Sequence, residues 1–392
     1  MSAVRGAPLR EQPASLRRTP SAGGAFRFAL ASPADNAELL QFNRAAEMAG
    51  AMRMVLDRAP DYFDALRVEG RHNEALVCRD AGFGRLIAVG HRSIKPMYVD
   101  GVVAPVGYLG GLRVAPDARN PRLLTQGYTY LRALQANRPA RFHLTTIMEG
   151  NAPARNVLLS RRLGLPVYHD FGRFCCVATN LRGGEPSRAQ PGLTLRRASG
   201  ADAAAVIGFL HREGGSRQFF PEYTEQDIGQ PGGLLHHLEW RDVFLAIRGA
   251  ELVGVLAAWD QRRFRRWRIA SYASWLRALR IPLNLVALLQ RKPALPRPGQ
   301  SLDCCVLSLI CIKDGNRDVF RSLLGEVTRT GRDCCAFFLA GLHERDPLLP
   351  ELLSRPHVPL YSRLYVVAWE DEADAVRAMD RTRVPYLETG SL

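Results

Sequence analysis

Lysine is nearly absent from this 392-residue chain: of 53 basic residues only Lys95, Lys292 and Lys313 are lysine, and 50 are arginine. Long apolar runs are missing too. No segment approaches the roughly 18 uncharged apolar residues of a membrane span, which argues against an integral membrane protein. No C-x-x-C occurs and the nine histidines are scattered, so no zinc-type ligand spacing is present. The eight cysteines include three adjacent pairs, Cys175-Cys176, Cys304-Cys305 and Cys334-Cys335, each in an apolar run. In a strand, neighbouring side chains point to opposite faces, so such a pair cannot hold one metal. These thiols read as small core residues in a reducing cytoplasm, and no metal is expected.

What is present suits a soluble globular protein. The hydrophobic fraction is 47% and the charged fraction 23%. Net charge is +15. Abundant Ala, Gly, Pro and Arg match a GC-rich genome, but an anionic partner would also account for the arginine. Residues 1–25 are polar and Arg-bearing without an apolar h-region, and read as a disordered tail rather than a secretory signal.

One unit is used twice. Phe26–Ala31 is followed by Ser32-Pro33-Ala34-Asp35 and a helical pattern through Leu39, Leu40 and Phe42. Leu193–Arg197 is followed by Ser199-Gly200-Ala201-Asp202 and a pattern through Val206, Ile207 and Leu210. Each reads as a strand and a capped helix. Near the ends, Leu165-Pro166-Val167-Tyr168 precedes Phe174–Ala178, and Val358-Pro359-Leu360-Tyr361 precedes Leu364–Ala368. The organisation expected is a tail (1–25), a first domain (26–180), a linker (181–191) and a second domain (192–392). An insert of about residues 261–300 lies in the second. From Gln261 to Leu302 there is no Asp or Glu but ten Arg or Lys, with Phe264 and Trp267 interleaved and helically spaced apolar residues around Pro282. Pro282 should divide that helical stretch in two. The segment Arg262–Arg297 fits an anionic membrane surface or an acidic partner; nucleic acid is the less favoured occupant, since it rests on charge alone.

The most informative segment is Val106-Gly107-Tyr108-Leu109-Gly110-Gly111-Leu112-Arg113-Val114-Ala115-Pro116-Asp117-Ala118-Arg119-Asn120-Pro121-Arg122-Leu123-Leu124. It reads as a strand, an Arg-bearing turn and a helix start, an anion site suited to a pyrophosphate. Gly110-Gly111 permits a bulge or a close backbone approach. Downstream come Thr145–Gly150, Asn151, Ala154 and Leu163-Gly164-Leu165.

This series resembles the GNAT acetyltransferase superfamily, across roughly residues 26–180 and more weakly across 193–370. The resemblance implies an α/β fold of two tandem GNAT-like domains, each a mixed, mostly antiparallel twisted sheet flanked by helices. It implies acetyl-CoA or another acyl-CoA as cofactor. Pantetheine would lie along Leu112 and Val114, the pyrophosphate on Arg119, Asn120, Arg122, Leu123 and Leu124, and Asn151 would reach the cofactor from the next helix. It implies direct transfer of the acyl group to the amine of a small or carrier-bound substrate. The alternative is a degenerate GNAT-like scaffold docking through its Arg-rich insert. Arg122 and Leu124 replace the loop's usual Gly and Gly/Ala. Where the family often carries a base Glu and an acid Tyr, this chain has Gly110 and Leu158. Glu149 and Tyr108 are the substitutes at hand. In the second unit His343 and Glu344 stand where the first has Glu149 and Asn151. There Asp314 and Asp318 would repel a pyrophosphate.

Overall fold

The computed structural model describes residues 25–45, 51–160, 164–181, 190–331 and 334–392. The expected tail up to residue 24, and all but the ends of the linker, lie outside these residues. The first half contains β1 (Phe26–Leu30), α1 (Asn36–Ala45), β2 (Met52–Asp57), α2 (Tyr62–Leu66), β3 (His72–Asp80), β4 (Leu86–Val99) and β5 (Val102–Val114). It continues with α3 (Pro121–Asn137), β6 (His143–Met148), α4 (Ala152–Leu158) and β7 (Val167–Asn180). The second half contains β8 (Leu193–Arg197), α5 (Ala203–Gly214), β9 (Val243–Arg248), β10 (Glu251–Trp259), β11 (Arg266–Tyr272) and α6 (Ser274–Leu289). It ends with β12 (Cys304–Ile312), α7 (Arg317–Gly331), β13 (Phe337–His343), α8 (Leu349–Leu353), β14 (His357–Ala368) and α9 (Ala373–Arg377).

The internal repeat is visible at its first landmark. The Asp35 carboxylate accepts from the Ser32 backbone N–H at 2.8 Å and from its hydroxyl at 3.0 Å. Asp202 accepts from Ser199 at 2.9 and 3.0 Å. Each box satisfies orphan donors where a helix begins. Helix faces follow the 3.6-residue period. On α7, Val319, Phe320, Leu323, Leu324 and Val327 are buried at that spacing, and each such side chain contributes about 1.5–3 kcal/mol. β12 is buried at all nine positions: it lies inside the sheet between β13 and β10, with α5 packed against it.

Twelve strands form one sheet in the order β1-β3-β4-β5-β6-β14-β7-β13-β12-β10-β9-β8. The two halves exchange their last strands. β14 lies antiparallel between β6 and β7, with Ser362 opposite both Met148 and Phe174. β7 in turn pairs antiparallel with β13, from Phe337↔Asn180 to His343↔Phe174. Among the described strands of this sheet, pairing is parallel at β5–β6 and at β12–β13 and antiparallel at the other neighbours.

The basic insert is not a free-standing appendage. β11 pairs antiparallel with β2 of the first half, from Arg266↔Asp57 to Tyr272↔Met52. Phe264 and Arg265 are buried, and Arg262 pairs with Asp260 and Asp303. The expectation of two short helices around Pro282 is corrected: α6 runs unbroken from Ser274 to Leu289 with Pro282 inside it. Exposure of Pro282 lets water reach the carbonyl that lost its partner.

Candidate functional site

β5 and β6 pair at only two positions, Gly107↔His143 and Tyr108↔Leu144, and then part. The Thr145 hydroxyl donates to the Leu109 carbonyl at 2.8 Å, the last tie before the opening. Beyond it β5 is held by β4 alone. His91 opposes Gly110 and Val89 opposes Arg113, so two residues of β5 face one of β4. This is the bulge expected at Gly110-Gly111, and Gly111 adopts φ +62°, a region that suits glycine. A Cβ on Gly110 would lie 2.4 Å from His91 Nε2, and one on Gly111 2.4 Å from His91 Nδ1. The glycines therefore make room for an imidazole directly beneath the bulge.

After Val114 a single turn, Pro116–Ala118, leads to α3. Arg119, Asn120 and Arg122 are exposed. Asn120 Oδ1 caps α3 by accepting from the Arg122 N–H at 2.9 Å. An anion here would meet the helix dipole and the two guanidinium groups more than free N–H donors. Leu112 is 44% exposed on the open part of β5 and Val114 is half-buried. Leu123 packs inward against Cys78 and Ile87, and Leu124 is half-buried. Asn151 Oδ1 accepts from the Ala154 N–H at 3.2 Å and caps α4.

The two candidate catalytic groups stand apart in character. Glu149 accepts from Arg173 Nε at 2.7 Å, and that guanidinium lies over the Tyr361 ring. Tyr108 is buried at the apex of the opening, with its hydroxyl 3.0 Å from Thr146 Oγ1. Burial pushes its hydroxyl up to about 12, so it stays protonated near neutral pH. In the second half, His343 donates to the Phe171 carbonyl at 2.7 Å and accepts the Arg345 N–H at 3.2 Å. Glu344 accepts from the Arg173 N–H at 2.9 Å. Both brace the junction of the halves.

Four residues under the bulge were not singled out from the sequence: Arg58, Glu69, His91 and Arg265, none more than 4% exposed. Glu69 accepts from Arg58 Nη2 at 2.7 Å and faces His91 Nε2 at 2.5 Å. Arg265 Nη1 lies 3.8 Å from Glu69, and the same guanidinium donates to the Gly390 carbonyl. Burial alone would raise the Glu69 carboxyl, but His91, Arg58 and Arg265 outweigh it and hold the group well below the carboxylate range. Burial lowers the His91 imidazole, against the pull of Glu69. His91 Nδ1 is buried without a hydrogen-bond partner. One sequence signal could have found His91: counting outward from the Asp100-Gly101 turn places it opposite Gly110.

Elsewhere, Asp64, His236 and His237 bring ligand atoms within 4.8 Å of one another.

No family model matches the chain, and no curated protein matches it in sequence. Solved structures do resemble it. A Saccharomyces cerevisiae N-myristoyltransferase with bound myristoyl-CoA is 12% identical, with a TM-score of 0.55 over 94% of this chain and 85% of that one. Another structure of that yeast enzyme with myristoyl-CoA is 12% identical, with a TM-score of 0.53 over 94% and 89%. A GCN5-related glucosamine N-acetyltransferase region of a fungal multi-domain GH3 β-N-acetylglucosaminidase is 11% identical, with a TM-score of 0.53 over 87% of this chain and 38% of that one. The likeness establishes the fold, which the chain shares over 94% of its length with the yeast N-myristoyltransferase structures and over 87% with the GCN5-related region.

Proposed function

We propose that the chain is an acyl-CoA-dependent N-acyltransferase with its donor site in the first half, between β5 and β6. The observation that carries this reading is the glycine bulge over an unpartnered imidazole nitrogen. The imidazole occupies the room that a side chain at Gly110 or Gly111 would need, and its Nδ1 is an orphaned buried polar atom directly under the bulge. Support comes from the fold, shared with a transferase that holds myristoyl-CoA.

An acyl-CoA supplies an activated thioester. Leu112 and Val114 offer open strand backbone to its pantetheine arm, and Arg119 and Arg122 offer charge to its phosphates. His91 Nδ1 takes the proton of the incoming amine, and Glu69 holds the ring through Nε2. The N–C bond forms as the C–S bond breaks, and Tyr108, still protonated, gives a proton to the leaving thiolate. His91 then returns its proton to Tyr108. Glu149, engaged with Arg173, sits at the rim and suits recognition of a cationic amine substrate better than proton transfer. A small or carrier-bound amine fits this rim, and the fold does not discriminate acetyl from longer acyl groups.

Calorimetric titration with acetyl-CoA, octanoyl-CoA and myristoyl-CoA tests the proposal. At least one is expected to bind with micromolar affinity. No binding by any of the three would sink it and leave the scaffold reading, in which the exposed insert helix is the working surface.

A further inference from the structure

Among the described residues, fifteen large apolar side chains are exposed, and eight of them lie on α6. The helix is built inside out. Leu276 is its one buried residue. The next inward positions, Arg280 and Asn284, are polar. Arg280 Nη1 donates to the Leu295 carbonyl at 3.3 Å. Asn284 exchanges two hydrogen bonds with the Leu295 backbone, at 3.0 and 2.7 Å. The outward face carries Trp275, Leu279, Ile281, Leu285, Leu288 and Leu289, the last 84% exposed. A soluble helix turns such residues toward its own core, so this face is made for an apolar surrounding outside the chain.

Charge narrows the choice of surrounding. No acid occurs between Gln261 and Leu302, whereas Arg277, Arg291 and Arg297 lie exposed along and beyond the helix. At the C-terminal end of α6 an open groove of about 700 Å³ includes Lys292, Arg355 and His357 and no carboxylate among its lining residues. Apolar side chains over much of one helix, flanked by cations, match immersion in the headgroup region of a membrane. At 16 residues α6 spans about 24 Å, short of the roughly 20 residues needed to cross a bilayer, so it must lie along the surface.

We infer that α6 docks the protein on an anionic phospholipid bilayer, with its leucines among the acyl chains and the Lys292–Arg355–His357 groove taking a lipid phosphate. The placement has a functional sense. Leu276 packs in one cluster with Leu360, and Ser362, two residues further along β14, pairs with Met148 at the open end of β6. The docking face and the open end of the donor cleft thus share one side of the molecule. The inference does not depend on the acyl-transfer reading.

Vesicle sedimentation with the full chain tests it. The protein is expected to pellet with phosphatidylcholine vesicles containing phosphatidylglycerol, and about tenfold more weakly with phosphatidylcholine alone or in high salt. Leu285→Glu with Leu288→Glu should cut binding at least about tenfold without changing circular dichroism or melting temperature, since both side chains are already in water. Lys292→Gln with Arg355→Gln should remove most of the preference for the anionic lipid. Absence of vesicle binding overturns the inference, as does equal binding by the double Glu variant. Concentration-dependent self-association by sedimentation velocity, lost in that variant while wild type ignores vesicles, would assign the face to a second copy instead.

Discussion

The two halves carry the same irregularity at equivalent strands and use it differently. In β5, Gly110 and Arg113 bracket two residues that oppose one residue of β4. In β12, Ser308 and Cys311 bracket two that oppose one residue of β10. The first bulged residue has positive φ in both, Gly111 at +62° and Leu309 at +53°. Beside Gly111 the strand edge is open. Beside Leu309 it is filled by the chain itself: the Leu309 N–H donates to Glu388 Oε2 at 3.0 Å and the Ile310 N–H to the Tyr386 hydroxyl at 3.3 Å. Glu388 also accepts from the Tyr223 and Tyr386 hydroxyls. The repeated fold leaves one cleft open and fills the other with its own polypeptide. A leucine tolerates the left-handed backbone there because the closed cleft fixes it.

Changes at the bulge test this contrast most severely. Gly111→Val places a branched side chain on a positive-φ position and onto His91. Acyl-CoA binding by calorimetry should vanish, and stability should fall by about 3 kcal/mol in urea unfolding. Leu309→Ala should leave acyl-CoA affinity unchanged; a comparable loss there would mean that the second cleft also binds donor. Next in size, His91→Asn should lower kcat about 10²–10⁴-fold with little change in acyl-CoA affinity, which separates proton transfer from binding. Replacing both Arg119 and Arg122 with Ala should weaken acyl-CoA about 10- to 100-fold, in a salt-dependent way. Lys313→Ala, at the second half's junction, should do nothing to it.

The smallest effect concerns the apex where the strands part. The first half has His143 there, opposite Gly107, and the second half has Phe338, opposite Cys305. Burial, with Arg92 adding to it, lowers His143 to about 3. Between that value and the ordinary imidazole range near 6.5, the unfolded chain binds a proton that the folded chain does not, so stability falls as pH falls. His143 should account for about 1 kcal/mol of the drop in unfolding free energy from pH 7 to pH 5.5, and His143→Gln should remove that share while the share of His91 remains.

Local signals in the sequence were sufficient for local structure. The Ser32 and Ser199 boxes, the Gly110-Gly111 bulge and the strand-to-helix junction at Arg119 all lie where residue chemistry places them. The exchange of β7 and β14 was not legible. Phe174–Ala178 and Leu364–Ala368 are apolar runs of the same kind, and nothing within either run specifies its neighbour in the sheet. The Glu69–His91 pair was hidden for a related reason: its members come from a short connecting turn and a strand, and only the strand register brings them together. Arg265 counted toward a basic surface in the sequence, yet Glu69 and the Gly390 carbonyl draw it inside. Charge totals do not distinguish an exposed guanidinium from a buried one.

The strand exchange also sets a timetable for synthesis. Ser362 emerges from the ribosome 214 residues after its partner Met148. At about 5–20 residues per second, β6 waits roughly 10–40 s with an unpaired edge, too long for the nascent first half to be left unattended. Such a chain favours early helper proteins over autonomous folding of its N-terminal portion. A ribosome stalled anywhere before β14 would release an open-edged sheet prone to self-association, rather than a smaller stable unit.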